Sequence, residues 1–267
     1  ALRPSPGQSA SAKNLRLLLG SSPTVASHRA SRHAVQDAYS LRCAPQVHGA
    51  ARDATTFCRA VVERELASVV DNPVVLDGAI VSAGNFHGQA LAYAADLLAS
   101  VCADLAAISE RRIDRLLDPA RSRGLPAFLS PDPGRNSGFM LAQYTAAAMV
   151  AALRHAATPL AVQSASTSAG QEDHVSMSFE AARRSRESVP MLRSVLAVEL
   201  CCAAQALELR APLQPAPATG ALMTAIRELV APLREDRALA GDLASVDVWL
   251  ATERWRTALG PLASRIR

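Results

Sequence analysis

The sequence is nearly without lysine. Lys13 is its single one, in a polar stretch near the N-terminus. A pyridoxal-phosphate enzyme needs a Schiff-base lysine in a buried site, so that class is disfavoured. Aromatic residues are also scarce, at 4%, although 49% of the chain is hydrophobic. The core must therefore be built from Ala, Leu and Val, which favours close-packed helices over a sheet sandwich. Cys43, Cys58, Cys102, Cys201 and Cys202 form no CxxC pair and are odd in number. Neither a zinc site nor a disulfide framework is indicated, no metal is expected, and a reducing cytoplasm is the natural setting. A Gly-rich phosphate loop, a GxSxG elbow and an HExxH helix are all missing.

The net charge of +4 does not point to nucleic acid, because the arginines are scattered and interleaved with acids. Runs such as "SERRIDR" (109–115) and "EAARRSRES" (180–188) read as solvated or salt-bridged helix faces. Two apolar stretches invite a membrane reading. Residues 89–108 carry Asp96 and Asp104, however, and residues 138–157 carry Gln143, Arg154 and His155. Both are expected to be buried core helices rather than spans, and no secretory signal opens the sequence.

What is present is helical periodicity broken by polar clusters. The expectation is a mainly α fold: an irregular segment over 1–45, a central bundle over about 46–210 and closing helices over 211–267. Long helices are expected at about 46–70, 89–117, 138–157 and 171–209. Asp118-Pro119 should end the second of these. Between them, Asp77-Gly78 separates Val74–Leu76 from Ala79–Val81 and predicts a two-residue hairpin near 73–82 that presents "GNFHG" (84–88).

Three clusters could carry chemistry. "VQDAYSLRC" (35–43) offers Gln36, Tyr39 and Arg42 at spacings of three; "GNFHG" offers Asn85, Phe86 and His87; "QEDH" offers Gln171, Glu172, Asp173 and His174. Together they supply a guanidinium for a carboxylate, a phenol for proton transfer, an aromatic face and an acid. The plainer reading of the last cluster is capping. Ser168 and Gln171 fit a capping box, with Glu172 and Asp173 in the first turn of a helix.

The strings "RPSPGQ" (3–8), "VQDAYSLRCAPQV" (35–47), "DNPVV" (71–75), "GNFHG" (84–88), "ISERRIDRLLDP" (108–119), "LPAFL" (125–129), "NSGFMLAQYTAAA" (136–148), "TSAGQEDHVSM" (167–177) and "ELRAPL" (208–213) run in order over nearly the whole chain. In them the chain resembles the histidine ammonia-lyases and, more broadly, the aromatic amino-acid ammonia-lyase and aminomutase family. The resemblance implies a long-helix bundle of the aspartase/fumarase-like type that assembles into tetramers, with active sites shared between subunits. It implies a 4-methylidene-imidazol-5-one electrophile formed from an internal Ala-Ser-Gly, and a small amino-acid substrate that loses ammonia. No nucleic acid or membrane is implied as a partner.

Carried over by motif, Arg42 would hold the substrate carboxylate and Tyr39 would serve proton transfer. Gln36 would support the prosthetic group, and Phe86 would pack on it and on the substrate ring. Glu172 would face the substrate side chain, where the phenylalanine and tyrosine enzymes carry Gln. Asn85, His87, Gln171 and His174 would stand one layer behind. A carboxylate at 172 suits an imidazole better than an amide does, which points to histidine and the release of urocanate.

Ala-Ser-Gly itself is not in these residues. They are expected to correspond to the C-terminal part of a subunit, with the electrophile supplied by an N-terminal half or a second polypeptide. "RPSPGQ" carries Ser5 in place of the expected His, Ala152-Leu153 stands where Glu-Asn is usual, and "PLAVQS" (159–164) lacks a His and an Asp. These departures keep open a phenylalanine or tyrosine lyase, a 2,3-aminomutase, and a non-catalytic scaffold or regulatory member.

Overall fold

A computed structural model of the chain describes residues 2–30 and 34–266. In chain order the α-helices are α1 (Pro6–Leu19), α2 (Pro23–Ala26), α3 (Tyr39–Arg42), α4 (Ala44–Leu66), α5 (Gln89–Leu117), α6 (Met140–Ala156), α7 (Ser178–Leu209), α8 (Pro217–Leu229), α9 (Ala240–Ala251) and α10 (Trp255–Leu259). Single 3₁₀ turns occur at Ala127–Leu129, Ser168–Gly170 and Gly260–Ser264. The two strands, β1 (Val74–Leu76) and β2 (Ala79–Val81), pair antiparallel with Val74 opposite Val81 and Leu76 opposite Ala79.

α5 is the axis of the fold, with α4, α6 and α7 packed along it. Its buried positions include Ala92, Ala95, Ala99, Cys102, Ala106, Ile113 and Leu117. That three-to-four spacing draws an apolar stripe down one side. Alanine at most of these places lets the neighbouring helices approach closely, which is how a chain poor in aromatics fills its core. α6 answers with Ala142, Ala146, Val150 and Leu153, and α7 with Val195, Val198, Cys201 and Cys202. Val246 and Trp249 of α9 lie in the same buried cluster. α5 and α7 are long and apolar enough to cross a membrane by length and composition, yet each supplies its apolar stripe to this core.

Polar bonds set the angles between the layers. Arg112 of α5 forks onto Glu199 of α7 through Nε and through Nη2 (2.9 Å), and Ser109 Oγ donates to the same carboxylate at 2.5 Å. Gln205 is buried in α7 and fully used. Its Nε2 donates to the Leu233 and Leu129 carbonyls, and its Oε1 accepts from Leu233 N–H and Arg227 Nη2. Burial pushes the Cys201 thiol up to about 12 and raises the Cys202 thiol well above its ordinary value, so both behave as packing groups.

The second long helix spans the expected residues, and Asp118 before Pro119 ends it with extended backbone. Asp77 and Gly78 both take positive φ, 52° and 80°, as a tight hairpin turn requires.

Three expectations are corrected. The segment over 1–45 that was expected to be irregular contains α1. Pro6 opens α1 and Ser5 Oγ accepts from Gln8 N–H (3.2 Å), while Asp53 of α4 accepts from Gly7 N–H (2.8 Å) and Ser5 Oγ (3.0 Å). The helix expected at 46–70 runs instead over α4, Ala44–Leu66. The helix expected at 171–209 begins at Ser178, so the capping reading of Ser168, Gln171, Glu172 and Asp173 fails. Ser168, Ala169 and Gly170 take positive φ, which turns the chain back on itself in place of starting a helix. Thr167 and Glu172 then pair across the turn.

Ahead of α6, the Asp236 carboxylate accepts from Ser137 N–H (2.7 Å) and Gly138 N–H (2.9 Å), and these bonds hold its pKa below the usual carboxylate range. A depressed folded-state pKa gives stability that is present above the unfolded value, about 3.9, and lost as pH falls below it. Asp236→Asn is therefore expected to lower Tm by more at pH 7 than at pH 3, the gap narrowing as pH falls. Thermal unfolding at both pH values checks this; a constant gap would remove the charge from the account.

Candidate functional site

The three clusters seen in the sequence fall at two places. The first surrounds α3, one helical turn at the C-terminal end of α5. Its backbone is anchored by Arg112 Nη1, which donates to the Ser40 carbonyl at 3.4 Å. Arg123, just past the end of α5, donates to Asp37 at 2.6 Å. Within the turn, Arg42 Nη1 donates to Gln36 Oε1. Sequence spacing put Gln36 and Arg42 near one another; the structure joins them, so the amide aims the guanidinium. Tyr39 is 72% exposed. Tyr39, Arg42 and Gln36 all face outwards.

The second place unites the other two clusters at the N-terminal end of α5. The hairpin leads into it and is fastened at its base by the Asn72 side chain. Asn72 Oδ1 accepts from Ala83 N–H (2.8 Å) and Ser82 Oγ (3.3 Å). Asn85 Nδ2 donates to the Val69 carbonyl at 3.3 Å. Phe86 then stands 58% exposed. His87 Nε2 lies 2.9 Å from the His174 carbonyl oxygen, which joins "GNFHG" to "QEDH".

The segment between α6 and α7 is held against α5 by polar bonds. Asp96 Oδ2 accepts from Leu160 N–H (2.9 Å) and Ala161 N–H (2.8 Å), and Gln89 Nε2 donates to the Ala161 carbonyl at 2.8 Å. Ser164 Oγ accepts from Val175 N–H at 2.9 Å. Thr167 Oγ1 donates to Glu172 Oε2 at 2.6 Å, and the two backbones pair. Among the described residues Glu172 Oε1 takes no hydrogen bond, and the side chain is exposed. Gln171, Asp173 and His174 are exposed beside it.

The two places are far apart. The helix from Gln89 to Arg112 spans about 35 Å at 1.5 Å per residue. One amino acid cannot touch Arg42 and Glu172 of the same chain. Each place carries one part of the candidate site: a guanidinium with a phenol at one end, an aromatic face with an acid at the other. A cavity of about 900 Å³ opens beside α1, α3 and α4 and is lined partly by Leu15, Leu18, His48, Arg112 and Glu199. It adjoins the first place through Ser40, Leu41 and Arg112, but Gln36, Tyr39 and Arg42 do not line it, and its Arg112 and Glu199 are already paired.

Asn72, Asp96 and Thr167 were not among the site residues expected from the sequence. Asn72 before Pro73 had a signal, since a short polar side chain at a hairpin's base often takes up loose backbone donors. Asp96 inside an apolar helix had another, because a buried acid needs donors.

Residues 1–228 match the family model described as aromatic amino acid lyase. The chain is 51% identical over 269 residues to the histidine ammonia-lyase of Streptomyces avermitilis, covering 98% of this chain and 52% of that protein. It is similar to the crystal structure of histidine ammonia-lyase from Trypanosoma cruzi, with a TM-score of 0.87 and 39% identity over 98% of this chain and 50% of that one. It is also similar to tyrosine aminomutase from Streptomyces globisporus, with a TM-score of 0.89 and 36% identity over 97% of this chain and 53% of that one. The chain thus spans about half the length of the curated relatives it matches.

Proposed function

The chain belongs to the aromatic amino acid lyase family, and from that premise we propose that it forms the C-terminal part of an ammonia-lyase acting on histidine. The observation that carries the reading is Glu172. Its carboxylate is oriented by Thr167 through one oxygen and presents the other outwards. An imidazole N–H is a suitable donor to that oxygen, and imidazolium a better one.

The residues fit an electrophile brought from outside these residues. Arg42, Tyr39 and Gln36 lie exposed at one end and Phe86 and Glu172 at the other, with nothing of their own to close over. Lys13 is exposed on α1 and belongs to neither group. Gln36 and Phe86 would hold the 4-methylidene-imidazol-5-one group, which supplies an electron-poor double bond when present. Arg42, steadied by Gln36, binds the substrate carboxylate. Tyr39 takes part in moving the proton whose loss allows ammonia to leave. Phe86 covers the substrate ring and excludes water, and Glu172 fixes that ring's edge. Because the two groups lie about 35 Å apart along α5, a complete site draws Arg42 and Glu172 from different chains of an oligomer. The setting is the cytoplasm.

A lyase acting on phenylalanine or tyrosine, or an aminomutase, is the second reading; likeness to a tyrosine aminomutase favours it. Glu172 weighs against phenylalanine, since a bare phenyl ring offers that oxygen no donor, whereas a tyrosine phenol would supply one.

Three outcomes test the proposal. Arg42→Ala should lower kcat/KM for histidine by about 2–4 kcal/mol in transition-state terms, because a buried substrate carboxylate loses its charged partner. An unchanged kcat/KM removes Arg42 from the site. Glu172→Gln should shift the ratio of kcat/KM values from histidine towards phenylalanine and tyrosine, and a ratio that does not move removes the side-chain role. These residues alone should release no ammonium from any of the three amino acids, and co-expression with the N-terminal half carrying Ala-Ser-Gly should restore release. Turnover without that half overturns the requirement, as does silence of the assembled pair.

A further inference from the structure

The two loops at the N-terminal end of α5 are each tied down internally, "GNFHG" through Asn85 to Val69 and "QEDH" through Glu172 to Thr167. What links one loop to the other is a pair of histidines. His87 Nε2 meets the His174 carbonyl oxygen at 2.9 Å, and the two imidazole rings lie parallel within 1° with centroids 5.7 Å apart. A carbonyl only accepts, so Nε2 of His87 carries the proton. The contact is reinforced one residue later. A Cβ on Gly88 would come within 2.6 Å of Ser178 Oγ and 3.2 Å of Ser176 Oγ, so the backbone there is pressed against the start of α7. His87 directly follows Phe86, and His174 lies two residues after Glu172.

We propose that His87 and His174 form a positioning pair that fixes the Phe86 ring against the Glu172 carboxylate and thereby sets which amino-acid side chain the site accepts. The inference rests on the lyase reading above. The hydrogen bond fixes the height of one loop on the other, and the parallel rings limit its rotation. Phe86 and Glu172 are both exposed in the chain. Without the pair, each keeps its internal fastening but loses its register with the other.

The test uses the complete subunit, these residues together with the N-terminal half. His87→Phe keeps a flat ring for the stack and removes the donor. His87→Gln keeps an N–H that reaches the same carbonyl. His174→Val removes the second ring and leaves the backbone carbonyl in place. His87→Phe should reduce the histidine-to-phenylalanine ratio of kcat/KM by about tenfold or more, since a misplacement of ~1 Å is enough to cost far more than that. His87→Gln should restore the ratio to within about threefold, and His174→Val should fall between them, the lost bond being worth roughly one tenfold step. A merely structural histidine would lower Tm or yield and act on all substrates alike, so an unchanged ratio overturns the pair.

A second measurement does not depend on turnover. Crystal structures of the parent and of His87→Phe should differ in the separation of the Phe86 ring from the Glu172 carboxylate by about 1 Å, and an unmoved separation overturns the proposal. If the parent releases no ammonium while the separation shifts, the lyase reading has failed and the pair stands.

Discussion

One carboxylate holds the functional end of this chain together. Asp96 sits in the largely apolar first half of α5 and spends one oxygen on two successive backbone N–H groups, those of Leu160 and Ala161. Those donors belong to a connector with no helix or sheet of its own, so without Asp96 they would stay in water and the connector would swing away. With it, residues 158–177 follow the surface of α5, Ser164 takes up Val175 N–H, and Glu172 arrives beside "GNFHG". A charge in a long apolar helix is costly unless it is fully occupied. Here that cost is offset by the order it gives to the loop.

The opposite end of α5 obeys the same rule with the sign reversed. Arg112 meets Glu199 across the α5–α7 contact and has a donor left over for the Ser40 carbonyl. The turn carrying Tyr39 and Arg42 is too short to stand alone, since a single helical turn scarcely recovers its nucleation cost. It is held from below by Arg112 and from the side by Arg123 on Asp37. Both halves of the candidate site are thus loops or turns pinned to rigid helices by buried or half-buried charges. Their reactive side chains stay outermost: Tyr39, Arg42, Phe86 and Glu172 are all exposed.

Much of this was legible in the residues, and the boundary follows the range of the forces involved. The limits of α5 and the hairpin turn at Asp77-Gly78 were readable because both are decided within a few residues, by Asp118-Pro119 and by positive φ. The start of α7 was misread because Ser168, Gln171 and Glu172 satisfy a local capping pattern. The chain instead uses three successive positive-φ residues to pair Thr167 with Glu172. The candidate site residues themselves were picked out by the colinear strings. Their separation was not. Nothing in the spacing of Arg42, Phe86 and Glu172 tells that the last two meet through His87 and His174 while the first lies at the far end of a long helix.

That length of α5 bears on heredity. On the proposed reading, a helix about 35 Å long between its two groups makes every chain a contributor to two sites, lending its Arg42 group to one and its Glu172 group to another. A lesion in one group and a lesion in the other therefore do not injure the same function of the chain. In a cell carrying one allele of each kind, subunits mix at random, and some sites receive the intact group from each parent. Two alleles that are each silent alone would restore one another, whereas two alleles damaged in the same group would not. Complementation between such alleles would sort the site residues into their two groups without any structure at all.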